Sequence, residues 1–354
     1  MPVALALTLL AAAPPTNPEP VLRAHCAAHA AAPSNPWALA HGITAFGASF
    51  RASDGRPAAE VIVGDFARAD ASAPTFPPAA QDGTPVEPHP GLLVKTLVLA
   101  GVPKGRAFST ARGKVTLAEL IRRAEHSFRL PPPGNEVAWA ELAWTLDVLS
   151  ATHAPGSAIR DAEGKTLSVD HVMDEAFAAL ERAQADLGRA MDAGVPRVDK
   201  RRQGLYAHPC GGLHFFQAVA SWARHPAVRA RWGKRLARQI DLLFYRFDSE
   251  SAQYAETVRA QPGYRLAVRA QELKFHGHLL ETLARLRRDG LLSPTRRQSE
   301  AIARSRALLA DAVADLDAMG AFRATDRLRQ AQPQFALDLV GDACHALHGA
   351  TAWR

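Results

Sequence analysis

Two cysteine–histidine pairs in the sequence have the spacing of metal ligands. Cys210 precedes His214 by four residues, and Cys344 precedes His348 by the same interval. On an α-helix, positions four apart share a face, so the members of each pair can approach one ion together. Thiolate and imidazole are borderline-soft ligands, and two of each form a common zinc set. The sequence therefore predicts a zinc site at Cys210, His214, Cys344 and His348.

The same cysteines allow two other interpretations. Cys210 and Cys344 could form a disulfide between neighbouring helices if the protein is exported. Each could also be a buried and inert thiol, which is the commonest fate of a free cysteine. Gly211 and Gly212 follow Cys210 directly, so this cysteine could lie before the helix rather than on it. With Cys26, the chain has 3 cysteines, too few for a disulfide framework, although one pair could be bridged.

Several histidines are candidates for general acid–base catalysis, because an imidazole titrates close to neutral pH. His276 and His278 lie two residues apart, so on a helix they point about 200° apart and at most one faces a cavity. Glu281 lies three residues beyond His278 and could orient it, although such pairs are common on ordinary helix surfaces. A lone buried histidine is more often a packed, hydrogen-bonded residue than a ligand. The candidate catalytic residues are His208, His214, His278 and His348.

The elements that would position these residues are mostly helical. In the C-terminal half, apolar residues recur at helical spacing between breaks at proline and glycine, which predicts helices over 211–224, 226–254, 264–288, 294–318 and 334–349. The N-terminal half alternates helices with short hairpins, predicted at about 50–63, 106–115 and 158–167. The last two turn at Gly113-Lys114 and Gly164-Lys165, and the first turns at Asp54-Gly55. Residues 68–90 are rich in proline and are expected to be irregular.

This pattern predicts a mainly α fold with small β-hairpin insertions. The helices could form an array of helical pairs, or the array could close into an α/α-toroid with a central cavity. In a toroid, the inner helices would carry the histidines and cysteines towards that cavity. Apolar residues make up 47% of the chain and charged residues 22%, which is enough apolar material for a packed core. We expect residues 20–354 to form a single α-helical domain.

The layout resembles the terpenoid-cyclase-type α/α-toroid proteins over about residues 85–350. Within that group, the lanthionine-synthetase cyclases hold zinc with a cysteine and with a Cys-His pair near the end of the chain. Cys210 in His-Pro-Cys-Gly-Gly and the later Cys344-His345 are similar in order. The Trp-Cys and Cys-His-Gly signatures of that family are absent as such, because Gly349 follows His348 and not His345. The resemblance implies a toroidal zinc enzyme.

The N-terminus has features of a signal peptide. Residues 3–13 form an apolar run that ends in small residues, and a Pro-rich spacer then reaches Pro20. No Lys or Arg precedes the run, and Pro14 would follow the cleavage point. We expect residues 1–19 to be a leader and spacer, with the mature chain beginning between Ala13 and Glu19 and residing in the periplasm or outside the cell. A cytoplasmic location is the alternative. The run is too short to cross a bilayer, and no transmembrane segment is expected.

The charge pattern narrows the classes of partner. The net charge is +7, and much of the excess is arginine spaced along helices, which usually forms a solvated face. These basic segments lack interleaved aromatic residues, so no nucleic-acid partner is expected. We expect an enzyme that acts on a small molecule, saccharide or peptide in a central cavity. The alternative is a non-catalytic helical scaffold that binds a ligand or partner, and the sequence does not predict the oligomeric state.

Overall fold

The structure, a computed structural model, describes residues 17–69, 74–111, 113–132 and 134–353. The predicted leader falls almost entirely on residues 1–16, so it lies outside the described residues. The fold is mainly α, as predicted, with helix over 67% of the chain. The strands of the described part pair as three small antiparallel two-stranded ladders. None of the helices in these ranges combines the length and the apolar character that crossing a membrane requires.

The N-terminal half alternates short helices with two-stranded ladders. Its elements in chain order are α1 Glu19–His29, α2 Pro36–Phe46, α3 Ala58–Phe66, β1 Arg68–Ala69, β2 Pro74–Thr75, α4 Leu92–Leu99, β3 Ala107–Thr110, β4 Gly113–Thr116, α5 Leu117–Ser127, α6 Glu136–Glu141, α7 Ala143–Thr152, β5 Ala158–Arg160, β6 Thr166–Ser168, α8 Val169–Ala183 and α9 Ala185–Asp192. The ladders pair β1 with β2, β3 with β4, and β5 with β6.

Two of the three predicted hairpins are confirmed, and each leads into a capped helix. Thr116 ends β4 and forms a capping box with Glu119 at the start of α5. Ser168 ends β6, and its side chain accepts a hydrogen bond from the His171 amide at the start of α8. Hairpin and helix therefore share a residue at each junction, which fixes the direction in which the helix leaves the ladder.

The predicted hairpin at 50–63 is wrong in its second half. The turn at Asp54-Gly55 is present, and residues Arg51 and Pro57 form an isolated antiparallel bridge across it. The chain then enters helix α3 rather than a strand. Val61, Ile62 and Val63 are completely buried in the core, and a short apolar run of this kind fits a buried helix as well as a strand.

The C-terminal half is almost entirely helical. It contains α10 Leu213–Ser221, α11 Pro226–Ala260, α12 Arg265–Arg288, α13 Arg296–Ala318, α14 Thr325–Ala331 and α15 Pro333–Thr351, with 3₁₀ turns at Lys200–Arg202, Gly204–Ala207, Pro209–Gly212, Trp222–Arg224 and Pro262–Tyr264. The five predicted helices are present. The first of them begins two residues late, at Leu213, because residues 210–212 have left-handed backbone angles.

Helix α12 lies against α10, α11, α13 and α15. Its closest approach is to α15, where a Cβ atom added to Gly277 would lie 2.9 Å from the Cα atom of Ala346. A Cβ atom on Gly349 would lie 2.7 Å from the carbonyl oxygen of Gly277. The two glycines therefore permit a helix contact that any larger residue would push apart. This contact brings the side chains of His278 and His345 together.

A disulfide joins α1 to α15. It links Cys26 and Cys344, whose Cα atoms are 5.3 Å apart and whose positions differ by 318 residues. Both cysteines are completely buried in a core cluster that extends from Leu22 to Leu347. The alternative of a Cys210–Cys344 disulfide is therefore wrong in one partner, and Cys210 is a free thiol. Closure of the helices into an α/α-toroid stays a prediction.

Candidate metal centre

A cavity of about 390 Å³ lies among helices α2, α4, α7, α10, α12 and α15. Polar lining residues come from α2, α4, α10, α12 and α15, whereas α7 contributes Trp144. Six of the lining residues are histidines: His41, His89, His208, His214, His278 and His345. The free thiol of Cys210 also lines this cavity. A histidine-rich wall of this kind can coordinate a metal ion or exchange protons with a ligand.

Three of these side chains form a compact ligand group. One ligand atom from each of Cys210, His214 and His278 lies within 4.8 Å of the other two. His214 occupies the first turn of α10, and His278 lies in the middle of α12. The rings of these two histidines meet edge to face, with their centroids 4.8 Å apart. Small side-chain movements would bring the three atoms to the separations that a shared ion requires.

Cys210 reaches this group from a left-handed turn and not from the helix. Its backbone angles are φ 49° and ψ 35°, and it is the one non-glycine residue with positive φ in the part of the chain that the structure describes. Gly211 and Gly212 continue the left-handed conformation, at φ 60° and φ 76°. Such a conformation costs about 1–3 kcal/mol in a residue other than glycine, and this strain is typical of functional sites.

A buried ion pair holds this turn in place. The guanidinium group of Arg246 donates a hydrogen bond of 2.6 Å to the carbonyl oxygen of Gly211. The same guanidinium pairs with Glu250, and both side chains are almost completely buried. A Cβ atom on Gly211 would lie only 2.5 Å from Arg246 Nη2. The position therefore requires glycine for its backbone angles and also for space.

Several ring nitrogens at the site are buried without a hydrogen bond, although those of His278 lie near two carboxylates. Among the described residues, no hydrogen bond is made by Nδ1 of His208, Nδ1 of His214 or either nitrogen of His278. A buried polar atom without a partner costs about 1–3 kcal/mol, so groups of them are rare in folded proteins. Together with the sulfur of Cys210, the nitrogens of His214 and His278 could hold a metal ion.

Glu281 connects two further histidines and fixes their tautomers. His345 Nδ1 donates to one carboxylate oxygen of Glu281 at 2.9 Å, and His348 Nδ1 donates to the other at 2.8 Å. A carboxylate can only accept, so both Nδ1 atoms carry the proton. Nε2 of His345 is left with a free lone pair. A carboxylate behind an imidazole is the usual outer support of a metal-binding histidine.

His41 is held in the same tautomer from another helix. Its Nδ1 donates to the carbonyl oxygen of Trp37 at 2.7 Å, which leaves Nε2 as an acceptor. The rings of His41 and His345 meet edge to face, with a centroid separation of 5.1 Å. The cavity wall therefore offers two further imidazoles whose Nε2 atoms carry lone pairs.

The charge states of the cluster follow from burial. Burial lowers the pKa of His214 well below its ordinary value, and the positive charges of His278 and Lys95 act in the same direction. Burial likewise lowers the pKa of His345 well below its ordinary value. Burial opposes ionisation of Glu281 too, but its histidine neighbours hold the pKa of this carboxyl well below its usual range. The two imidazoles are therefore neutral at physiological pH, which is the form that binds a metal.

His278 behaves differently from its neighbours. Its Nε2 lies 3.4 Å from Asp342 Oδ1, and its Nδ1 lies 3.6 Å from Glu281 Oε2. Burial disfavours its charged form, but its contacts with the Cys210 sulfur and with these two carboxylates raise the pKa of His278 well above its ordinary value. In the absence of an ion, His278 is therefore the cationic member of the cluster, opposite the Cys210 sulfur.

A second group, His278, Glu281 and His345, also brings its ligand atoms within 4.8 Å of one another. Both oxygens of Glu281 already accept a hydrogen bond from a histidine. In the first group, Nδ1 of His214 has no competing partner, and the nitrogens of His278 have only long contacts with Asp342 and Glu281, at 3.4 Å and 3.6 Å. These residues could hold a metal ion, and the group with Cys210 is the better site.

Compared with models of known protein families, with curated proteins and with solved structures, the chain matches none of them. The resemblance to lanthionine-synthetase cyclases therefore stays a prediction. One of the ligands that it implied is excluded, because the sulfur of Cys344 is bonded to Cys26.

The structure brings together only part of the predicted set. Cys210, His214, His278 and His208 line one cavity, whereas Cys344 is in a disulfide and cannot be a metal ligand. His348 lines a second cavity on the other side of Glu281. The predicted four-ligand zinc site is therefore wrong for Cys344, and the structure does not bring His348 to Cys210.

Sequence reasoning missed the residues that support the site. Glu281 was considered only as a neighbour of His278 on α12, while its hydrogen bonds go to α15. Asp342 carried no spacing signal, since its contact with His278 also crosses between α12 and α15. His276 is buried away from the cavity, where its Nδ1 lies 3.1 Å from the hydroxyl oxygen of Ser305. Of the adjacent pair, His278 is the one that faces the cavity.

Proposed function

We propose that the protein is an exported zinc-dependent enzyme that acts on a small molecule in the histidine-lined cavity. Cys210, His214 and His278 would hold the ion. The observation that carries this proposal is the approach of a free thiol to His214 and His278, two buried histidines with ring nitrogens that make no hydrogen bond. An ion would bind one nitrogen of each ring and would offset part of the cost of burying them without hydrogen bonds.

The chemistry of the donors favours zinc. One thiolate and two imidazoles suit a borderline-soft ion better than magnesium or calcium, which prefer oxygen ligands. Structural zinc sites are usually closed by four protein ligands, whereas catalytic sites use three and keep one position open. When bound in such a site, zinc polarises a carbonyl group or activates water.

The remaining residues would bind and orient the substrate. His89 stacks on Trp144, with ring centroids 4.1 Å apart and an angle of 8° between the planes. This pair forms a flat wall next to His214, whose ring lies 5.3 Å from that of Trp144. Asp342 lines the same cavity next to His278, and burial raises the pKa of its carboxyl, so that it could exchange a proton with a bound ligand. The cavity has the size of a pocket for a small molecule, a saccharide unit or a short peptide end.

The disulfide supports the proposed export. Disulfides form and persist in oxidising compartments such as the periplasm and the cell exterior. The link between Cys26 and Cys344 therefore agrees with the leader expected from the sequence. A chain isolated from its native host should begin between Ala13 and Glu19, which N-terminal sequencing would reveal.

Metal analysis after purification without added metal tests the zinc proposal. We expect about one zinc per chain in the wild type, and a large loss of zinc in Cys210→Ser and His214→Ala. His276→Asn is a matched control, because His276 is buried on α12 but packs against Ser305. Wild-type protein without zinc, or full zinc retention in both ligand variants, would contradict the site.

A panel of ester, glycoside and peptide substrates, compared between wild type and His214→Ala, then tests for catalysis.

The backbone of Cys210 favours a second candidate, in which this cysteine is the nucleophile. A strained residue just before a helix, opposite a cationic imidazole, has the features of a reactive thiolate. His278 would then be the acid–base partner and Asp342 its orienting group. The two candidates differ in their response to a strong chelator and to iodoacetamide. A nucleophilic cysteine is alkylated by iodoacetamide whether or not the chelator is present, and the enzyme stays active in the chelator. A zinc ligand is protected from alkylation until the metal is removed.

A further inference from the structure

A second cavity of about 560 Å³ lies on the other side of the histidine cluster, between α2, α4, α12 and α15. It shares three lining residues with the first cavity, namely Thr44, Lys95 and Thr96. The zinc proposal leaves this cavity without a function. Its electrostatic character differs from that of the first, because cationic side chains replace most of the histidines.

The side chain of Lys95 is the main charged feature shared by the two cavities. The residue is only 6% exposed, and its side chain borders both cavities. Within the described ranges of the chain, its ammonium group makes no hydrogen bond and no ion pair. The ammonium group is therefore not sealed in the core but opens onto the two cavities that the side chain borders. With no partner from the described residues, it is free to contact an anion that enters the second cavity.

Two arginines extend this positive charge to the surface. Arg287 and Arg288 are exposed and line the same cavity. Arg287 lies over the ring of Trp353, with its guanidinium carbon 5.2 Å from the ring centroid. Arg288 has a side chain that is 64% exposed, and its contact with Asp289 is long, at 3.9 Å. Both guanidinium groups therefore retain donors for an incoming ligand.

The other charged groups of the lining are already paired. Arg285 binds Asp147 through both terminal nitrogens. Glu281, the one carboxylate among the lining residues, accepts hydrogen bonds from His345 and His348. The cavity thus has a buried cation at its floor and two exposed cations at its mouth. A cleft of one charge sign attracts ligands of the opposite sign.

We propose that the second cavity binds a small oxyanion, as the carboxylate or phosphate group of a small molecule or as a free ion. Lys95 contacts the anion at the floor, and Arg287 and Arg288 guide it through the mouth. The proposal is independent of zinc. Because Lys95 also borders the first cavity, an anion bound here lies next to the histidine cluster and offsets the positive charge that Lys95 presents to it.

Calorimetric titration with phosphate, sulfate and succinate, each at constant ionic strength in sodium chloride, tests this site. The protein carries His214→Ala throughout, so that the anion cannot bind to zinc in the first cavity. We expect saturable binding of at least one of these ions, weakened about tenfold or more by Lys95→Met. Lys234→Met, which removes an exposed lysine of α11, is the matched control and leaves the affinity unchanged.

The same titrations identify the source of the anion and the result that would overturn the proposal. Preference for succinate indicates a carboxylate ligand, and preference for phosphate or sulfate indicates a tetrahedral anion. No saturable binding of any of the three ions, or equal affinity in Lys95→Met and wild type, contradicts the site. If Lys95→Met does not fold, the double variant Arg287→Gln with Arg288→Gln replaces it, with the same tenfold criterion. A separate measurement uses Lys95→Met alone, with His214 intact. Its zinc content should stay at the wild-type level, so failure of the anion site can be distinguished from failure of the metal centre.

Discussion

Cys210 and Cys344 each precede a histidine by four residues, yet the two pairs lie in different backbone conformations and have different partners. Cys344 and His348 lie on the continuous helix α15, where the cysteine bonds to Cys26 and the histidine donates to Glu281. Cys210 lies in a left-handed turn before α10, and its thiol is free. His214 keeps an unpartnered nitrogen. Equal spacing therefore gives one pair that is used for stability and another that remains available for chemistry.

The largest expected difference between the pairs is in stability. Cys344→Ser should lower the free energy of unfolding by about 2–5 kcal/mol, because the disulfide constrains a very long loop in the unfolded chain. Cys26→Ser should have the same effect. Urea denaturation followed by circular dichroism, with and without a reducing agent, measures this loss. With a chelator present throughout, so that bound zinc does not contribute, Cys210→Ser is the control and should change the free energy of unfolding by less than about 1 kcal/mol. Equal destabilisation by Cys210→Ser and Cys344→Ser would contradict the assigned pairing.

The left-handed turn is the second point at which the pairs differ. Gly211→Ala should lower the free energy of unfolding by about 1–3 kcal/mol, because the new methyl group meets the Arg246 guanidinium and the backbone angle disfavours alanine. It should also lower the zinc content, since the turn positions Cys210. Gly263→Ala is the control, as a Cβ atom there meets nothing within 4 Å. Unchanged stability and zinc content in Gly211→Ala would show that the turn does not hold the cysteine in place.

His276 and His278 differ in the same way, since His276 packs against Ser305 and His278 faces the cavity. Burial lowers the pKa of His276 to about 3, whereas the pKa of His278 is raised. His276 binds a proton in the unfolded chain below pH 6.5 but not in the folded protein until about pH 3. His276 therefore lowers the free energy of unfolding as the pH falls below about 6.5, by up to about 1.4 kcal/mol per pH unit. The raised pKa of His278 has the opposite effect on stability. Its protonation stabilises the folded protein, and this stabilisation is lost as the pH rises through the pKa of the folded state.

Urea unfolding of His276→Asn between pH 7 and pH 4 tests this assignment. Asparagine can keep the hydrogen bond to Ser305 but does not titrate. Between pH 6 and pH 4, the free energy of unfolding should therefore fall less steeply in the variant than in the wild type. The difference in slope should be about 1.4 kcal/mol per pH unit, which corresponds to one proton. An identical pH dependence in wild type and variant would contradict the burial of an uncharged His276.

Local features of the sequence predicted most of the fold. The hairpins predicted at about 106–115 and 158–167, and the caps at Thr116 and Ser168, are confirmed because neighbouring residues determine them. The turn predicted at Gly113-Lys114 is wrong in position, since both residues lie in β4. The strand predicted within 58–63 failed because a short apolar run does not distinguish a buried helix from a strand. The five helices predicted in the C-terminal half are present, since proline and glycine define most of their ends, but α14 was not predicted.

The site was predicted less completely, because its support comes from contacts between distant segments. Cys210, His214 and His278 were recognised from residue type and spacing. The pairing of Cys26 with Cys344 depends on how α1 packs on α15, across a separation of 318 residues. The role of Glu281 similarly depends on the close contact of α12 with α15. No spacing within a single helix encodes these contacts.

The position of the bound metal tests the central claim most directly. We predict that a crystal of the protein loaded with zinc gives an anomalous difference peak at the zinc edge, about 2.3 Å from Cys210 Sγ and about 2.0–2.1 Å from one ring nitrogen each of His214 and His278. The pair Cys344 and His348 should have no such peak. A fully loaded crystal without a peak at Cys210, or with the peak at His345 and Glu281 instead, would contradict the account.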